Sequence, residues 1–213
     1  TEKNKNMGEQ LTKTKYKQTE VGLIPEDWNL HPLESLTPSV VKYGIVDGPF
    51  GSNLKTEHYK KKGIPIITSG YVTNGYFKAE EYLYVDELKF KQEKRSAVKG
   101  GDIVMAKIGA RCGASAILPL NHDIGILSGN ALKISIDESK YSTMLVWQFL
   151  LNIYLKGDLE GITSTGAQPA ISMSNLKVYQ IPLPPTLTEQ KAIATALSDV
   201  DELITSLDKL ITK

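Results

Sequence analysis

The chain carries few side chains that could catalyse a reaction. Its three histidines, His31, His58 and His122, stand in unrelated sequence contexts and lack metal-ligand spacing. The single cysteine, Cys112, has no obvious histidine partner, so we expect a small buried or half-buried residue there and not a nucleophile. Glycine-rich phosphate fingerprints and a P-loop are missing from the sequence. These observations argue against a hydrolase or transferase.

A methyltransferase site is not expected either. The sequence lacks the NPPY-type motif of adenine methyltransferases. The proline-rich segment at residues 181–185, IPLPP, has no aromatic residue to clamp a base, and it is typical of an extended lead-in to a helix. We therefore expect no catalytic residues, no metal site and no S-adenosylmethionine site on this chain.

Two loops carry polar side chains of the types that read DNA. Arg, Lys, Asn and Gln read base edges, whereas Lys, Arg, hydroxyls and backbone amides hold phosphates. Residues 48–55, GPFGSNLK, contain glycines that allow close backbone approach, and residues 106–115, AKIGARCGAS, contain a turn at Gly109. Each loop could equally be an ordinary turn between strands. The expected DNA contacts are Ser52, Asn53 and Lys55 in the first loop, and Lys107 and Arg111 in the second.

Charge is clustered, although the net charge is only +1. Lysines and one arginine form runs within residues 55–62 and 89–99, while acidic residues concentrate elsewhere. A basic face opposed by acidic helices is one interpretation, and from the first run we expect Lys60 and Lys62 to contact DNA phosphates. The alternative is that these lysines are simply solvated on loops.

The pattern of the elements predicts an α+β fold. Apolar residues at a spacing of three to four predict a helix over residues 142–157, ended by Gly157. Alternating and β-branched segments predict a globular domain with a short, twisted or barrel-like β-sheet. The predicted strands cover residues 40–46, 64–68, 82–85, 102–107, 114–118 and 131–135.

The C-terminal residues predict a long coiled-coil helix. Thr186 and Glu189 have the capping-box spacing that begins a helix. Apolar residues then recur at intervals of 4, 3, 4, 3 and 4, which is a heptad seam and requires a partner helix. We call these residues the seam: Ile193, Leu197, Val200, Ile204, Leu207 and Ile211.

Three parts follow along the chain. Residues 1–20 are expected to be a flexible polar arm, residues 21–185 a globular domain, and residues 186–213 the helix. Hydrophobic content of 41% and charged content of 23% are typical of a soluble globular protein. The lack of an apolar run of about 20 residues, the polar N-terminus and the single cysteine predict a cytoplasmic protein.

One segment resembles a known family. Residues 181–204, IPLPPTLTEQKAIATALSDVDELI, are similar to the junction between a target-recognition domain and a conserved helix in type I restriction–modification specificity subunits. Further similar segments follow the family's order. They are VGLIPEDWNL, GPFGSNLK, GIPIITSGYV, GDIVMAKIGARCG and STGAQPAIS.

The resemblance implies a role in DNA recognition. Such a subunit has two target-recognition domains, separated by two long antiparallel helices, and each domain reads half of a split DNA target. Two modification subunits dock on it and methylate adenine with S-adenosylmethionine, and a restriction subunit adds cleavage that requires ATP and Mg²⁺. The resemblance also places the loop at residues 161–172 near DNA. Its expected contacts are Thr163, Ser164, Thr165 and Gln168.

The sequence therefore predicts a non-catalytic DNA recognition subunit that corresponds to about half of a full one, either a natural half-subunit or a fragment. Expected partners are double-stranded DNA, modification and restriction subunits, and a second copy paired antiparallel through the helix. Two alternatives remain: the specificity region of a fused restriction–modification enzyme, and a helix-mediated scaffold with no DNA role.

Overall fold

The computed structural model describes residues 15–73, 75–164 and 168–211. Residues 1–14 of the predicted arm lie outside this part. The described end of the arm differs from the prediction, because Tyr16–Thr19 is strand β1, which pairs antiparallel with β2, Gly22–Pro25. The remaining strands are β3 (Asn29–Pro32), β4 (Ile45–Asp47), β5 (Ile64–Ile67), β6 (Val72–Thr73), β7 (Tyr76–Phe77), β8 (Tyr84–Val85), β9 (Ala97–Val98), β10 (Ile103–Ala106), β11 (Ser115–Ile117), β12 (Gly125–Leu127), β13 (Ala131–Ile134) and β14 (Gln180–Leu183).

Two four-stranded sheets form the centre of the domain. One has the order β11-β10-β13-β4, with antiparallel pairs throughout. The other has the order β8-β5-β12-β9 and contains one parallel pair, β5 with β12. Both sheets are open, and the described strands close no barrel. The α+β prediction is confirmed, and the barrel-like closure is not found in the described part of the chain.

Strand β10 separates two hydrophobic cores. Ile103 and Met105 pack into the cluster that includes Leu150, whereas Val104 and Ala106 pack into a second cluster on the other face of the sheet. Successive side chains of a strand point to opposite faces, so a strand buried on both faces is apolar at every position. This arrangement makes the sheet a rigid support for the loops at its ends.

Besides short 3-10 helices, the described residues form four α-helices: α1 (Glu87–Gln92), α2 (Thr143–Lys156), α3 (Met173–Val178) and α4 (Leu187–Ile211). Helix α2 has the predicted ends. Its N-cap Ser142 accepts a hydrogen bond from the backbone of Leu145, and Gly157 adopts the left-handed conformation with φ of 73°. Thr186 likewise accepts a hydrogen bond from the backbone N–H of Glu189 at the start of α4, at 3.2 Å.

The extended lead-in predicted at residues 181–185 is the end of a strand, since β14 pairs with β3 directly before α4. The strand predicted at residues 40–46 is wrong over most of its length. Val40 is 92% exposed, and the strand there begins only at Ile45. None of the described helices combines the length and apolarity needed to cross a membrane.

Candidate nucleic-acid interface

Two of the predicted DNA-contacting loops lie side by side. The turn after β10 runs along residues 169–171, where Ile108 pairs with Ala170. The backbone N–H of Gly109 donates to the carbonyl of Pro169 at 3.1 Å, and that of Ile171 donates to the carbonyl of Lys107 at 2.8 Å. Loops about 60 residues apart in sequence therefore form one continuous surface.

The third predicted loop joins this surface through Lys107. The Nζ of Lys107 lies 2.6 Å from Oδ2 of Asp47, the last residue of β4, and 4.1 Å from the ring centroid of Phe50. Gly48 allows a close approach, because a Cβ at this position would lie only 2.0 Å from the carbonyl oxygen of Ser128. The structure thus brings together residues 48–50, 107–113, 163–164 and 168–171, which we call the loop face.

A short hairpin borders the loop face. Strands β6 and β7 form it, and Nη1 of Arg111 donates to the carbonyl oxygen of Val72 at 3.1 Å. Tyr76 of this hairpin has its hydroxyl 3.5 Å from Oγ1 of Thr205 on α4. The hairpin therefore extends from the loop face to the long helix.

The predicted contact residues differ in availability. Asn53, Lys55, Arg111, Ser164 and Gln168 are exposed. The hydroxyl of Ser164 donates to the carbonyl oxygen of Ala170 at 3.2 Å. The exposed donors are thus the side chains of Arg111 and Gln168 on the loop face, and those of Asn53 and Lys55, which follow its first segment in the chain.

Other predicted contacts are less open. Thr163 is half-buried, and its hydroxyl donates to the carbonyl oxygen of Leu159 at 2.9 Å. Lys107 is half-buried as well, and its ammonium is paired with Asp47. Ser52 belongs to the short 3-10 helix Gly51–Asn53, which directly follows Phe50. Thr165 lies outside the described residues.

The two lysines predicted to hold phosphates are not brought together with the loop face. Lys60 and Lys62 are exposed and precede β5, and the backbone of Lys60 pairs with Tyr84. The loop face lies beyond the opposite end of β5. There the backbone N–H of Ser69 donates to Oδ1 of Asn130 at 3.4 Å, and the backbone carbonyl of Asn130 accepts from Lys107 at 2.8 Å. Their assignment as phosphate contacts stays a prediction.

Sequence reasoning missed one ion pair on this surface. Nη2 of Arg95 lies 2.6 Å from Oδ1 of Asp47. Arg95 belongs to the second basic run, but nothing local in the sequence connects it to an aspartate in β4. Only the pairing of distant segments brings the two together.

The environment of Cys112 is unfavourable for a nucleophile. Cys112 is buried, its Sγ donates to the carbonyl of Lys107 at 3.3 Å, and burial raises the pKa of its thiol. A thiol with a raised pKa is a poor nucleophile at neutral pH. Within the described part of the chain, His, Cys, Asp and Glu side chains form no cluster suited to a metal ion.

The seam of α4 is only partly covered. Ile193 packs against the core, but Leu197, Val200, Ile204 and Leu207 are about half exposed, at 46%, 53%, 51% and 48%. Ile211 is 81% exposed. Between α2 and α4 lies a groove of about 380 Å³ with an apolar lining. Its lining includes Trp28, Leu151, Leu155, Leu197 and Val200.

The described residues thus form an α+β domain with a convergent loop face and a long helix whose apolar seam is open. The family described as type I restriction modification DNA specificity domain matches residues 49–213. The chain belongs to this family, as its sequence predicted.

Relatives and solved structures agree with that assignment. The type I restriction enzyme MjaVIII specificity subunit of Methanocaldococcus jannaschii is 27% identical over 89% of this chain, and the MjaIX specificity subunit of the same organism is 28% identical over 92%. The chain spans 43% of the length of each. The crystal structure of the HsdS subunit from Thermoanaerobacter tengcongensis has the same fold. It is 16% identical, with a TM-score of 0.64 over 98% of this chain and 46% of that one.

Proposed function

We propose that this chain reads one half of a bipartite DNA target as the recognition domain of a type I specificity subunit, and that it performs no catalysis. One observation carries the proposal: three segments from distant parts of the sequence converge on the loop face, where Arg111 and Gln168 are exposed, and Lys55 is exposed a few residues further along the first segment. Arginine and glutamine read base edges through paired hydrogen bonds, and lysine holds phosphates.

The long helix supplies the second part of the proposal. Its open seam is suited to pair antiparallel with another helix, either the second conserved helix of a complete subunit or α4 of a second copy. An isologous pair of copies would hold two recognition domains at opposite ends and read a symmetric split site. Modification subunits would dock on this arrangement, and a restriction subunit would join them.

Cofactors belong to the partners in this proposal. S-adenosylmethionine would be bound by the modification subunits, and ATP with Mg²⁺ by the restriction subunit, in the cytoplasm where the DNA is accessible. Purified alone, the chain is expected to transfer no methyl group from labelled S-adenosylmethionine to mixed-sequence DNA. Transfer above background would contradict the assignment of this chain as non-catalytic.

Methylation-motif sequencing tests the function directly. The complete protein is expressed with its modification subunits in a host free of adenine methylation, with a matched culture that lacks only this protein. A split adenine-methylation motif that depends on this protein supports the proposal. If no motif appears and purified complexes show no salt-sensitive binding to DNA, the scaffold interpretation replaces it.

A further inference from the structure

Asp47 lies between two cations at the loop face. Its Oδ1 is 2.6 Å from Nη2 of Arg95, and its Oδ2 is 2.6 Å from Nζ of Lys107. The backbone carbonyl of Asp47 also accepts a hydrogen bond from the hydroxyl of Ser96 at 2.9 Å. Each carboxylate oxygen therefore holds one cation, and the end of β4 is fixed to two other segments.

The two cations differ in exposure. The Lys107 side chain is 13% exposed, and that of Arg95 is 52% exposed. Phe50 covers the Lys107 ammonium, while the Lys107 backbone donates to the carbonyl of Asn130 and accepts from Ile171, both at 2.8 Å. Lys107 thus connects several loops, whereas Arg95 faces solvent over half of its surface.

Moving the ammonium of Lys107 away from Asp47 would be energetically costly. Withdrawing its ammonium toward a phosphate would break a pair in which both side chains are largely buried, and breaking such a pair is more costly than breaking an exposed one. Arg95 has five N–H donors, one of which points at Asp47. It can contact an anion while it still touches the carboxylate.

We propose that the two cations have separate tasks: Lys107 is a positioning residue that fixes the Phe50 loop against the turn at residues 107–113, and Arg95 is a contact to a DNA phosphate. This inference rests on the proposed DNA-binding function. It differs from the sequence-based expectation that Lys107 itself touches DNA.

Charge supports this division. The buried lysine neutralises Asp47, which leaves the net positive charge of the trio on Arg95, its exposed member. The planar guanidinium matches the geometry of a phosphate. Asp47 also lowers the positive charge of the loop face and so weakens the sequence-independent affinity for DNA.

Salt dependence separates a phosphate contact from a positioning residue. The complete protein with its modification subunits is titrated with a duplex that carries the motif found by methylation sequencing, and with a scrambled duplex, between 50 and 200 mM salt. Arg95→Gln is expected to weaken binding to both duplexes and to flatten the slope of log K against log salt by about 0.9, the effect of one lost phosphate contact. Lys140→Gln, which removes an exposed lysine paired with Asp137, is the control and should change neither.

Lys107→Met combined with Asp47→Asn removes both charges of the buried pair and leaves the charge of Arg95 in place, so it is expected to weaken cognate binding at least tenfold with an unchanged salt slope. Lys107→Arg, which keeps the pair, should lose less. Asp47→Asn should tighten binding to scrambled DNA, a gain that misfolding cannot produce. If the variant that combines Lys107→Met with Asp47→Asn flattens the slope as Arg95→Gln does, or if Arg95→Gln leaves it unchanged, the division of tasks is wrong. Wild-type protein that binds neither duplex would instead contradict the proposed function itself.

Discussion

Gln190 on α4 accepts a hydrogen bond from the backbone N–H of Ser142, the N-cap of α2, with 2.9 Å between Oε1 and N. Its Nε2 donates to the carbonyl of Pro184 at 3.1 Å, and the residue is only 2% exposed. A second amide, Gln148, donates from α2 to the carbonyl of Ala194 at 3.1 Å. These buried amides fix the direction in which the long helix leaves the domain.

Removing the Gln190 amide should destabilise the domain strongly. Gln190→Ala leaves a buried N–H at Ser142 and a buried carbonyl at Pro184 without their partner, and each such group costs about 1–3 kcal/mol. We expect the free energy of unfolding in urea to fall by about 2–4 kcal/mol. The control Lys191→Ala, at the exposed neighbouring position, should change it by no more than about 0.5 kcal/mol. Equal losses in the two variants would show that the amide link contributes little.

Substitutions on the loop face and in the lysine run at residues 60–62 should separate base readers from phosphate contacts. Arg111→Ala and Gln168→Ala are each expected to cost about 1–3 kcal/mol on the cognate half-site and to relax specificity there. Lys60→Ala and Lys62→Ala should weaken all sequences similarly and flatten the salt slope. Affinities are measured with the assembled complex. A uniform loss on every sequence in both classes would mean that Arg111 and Gln168 do not read bases.

The sequence predicts the elements whose signals are local. Helix α2 has its predicted ends because Ser142 and Gly157 act through their nearest neighbours. Strands β5, β10 and β13 also lie where predicted, since each has four residues with strong apolar character. Strand β12 was missed, because its three residues are too few for a periodic pattern and it is held by pairing with distant β5 and β9.

The site is less predictable for a similar reason. Arg111 and Gln168 could be chosen from residue type and loop context alone, and both are exposed. The engagement of Lys107 could not be predicted, because its partner Asp47 stands 60 residues earlier in the chain. Which lysines remain open to DNA thus depends on tertiary pairing.

Cys112 should be protected from thiol reagents in the native protein. Burial raises the pKa of its thiol, so the reactive thiolate is scarcer at pH 8 than for a free cysteine. We expect slow reaction with an aromatic disulfide reagent in buffer and full reaction in urea. Val40→Cys provides an internal control, since that position is 92% exposed and should react at once. Comparable native rates at the two positions would contradict burial of Cys112.

The open seam provides the last prediction. Val200 and Leu207 are 53% and 48% exposed, so the domain does not depend on burying them. In a helix pair both would be buried, and a fully buried seam Leu or Ile is worth roughly 2–5 kcal/mol relative to alanine. A charge at these positions should therefore affect pairing far more than folding.

Val200→Asp combined with Leu207→Asp is expected to abolish dimerisation and to leave the thermal melt of the domain nearly unchanged. The control, Thr195→Asp with Ser206→Asp, adds the same charge at exposed positions away from the seam and should preserve the dimer. Mass is measured by light scattering and folding by thermal melting. Because pairing joins two copies of the chain, the dimer fraction must rise with protein concentration. If the unmutated chain is a monomer at high micromolar concentration, α4 does not pair with a second copy, and its seam must be covered by a different helix.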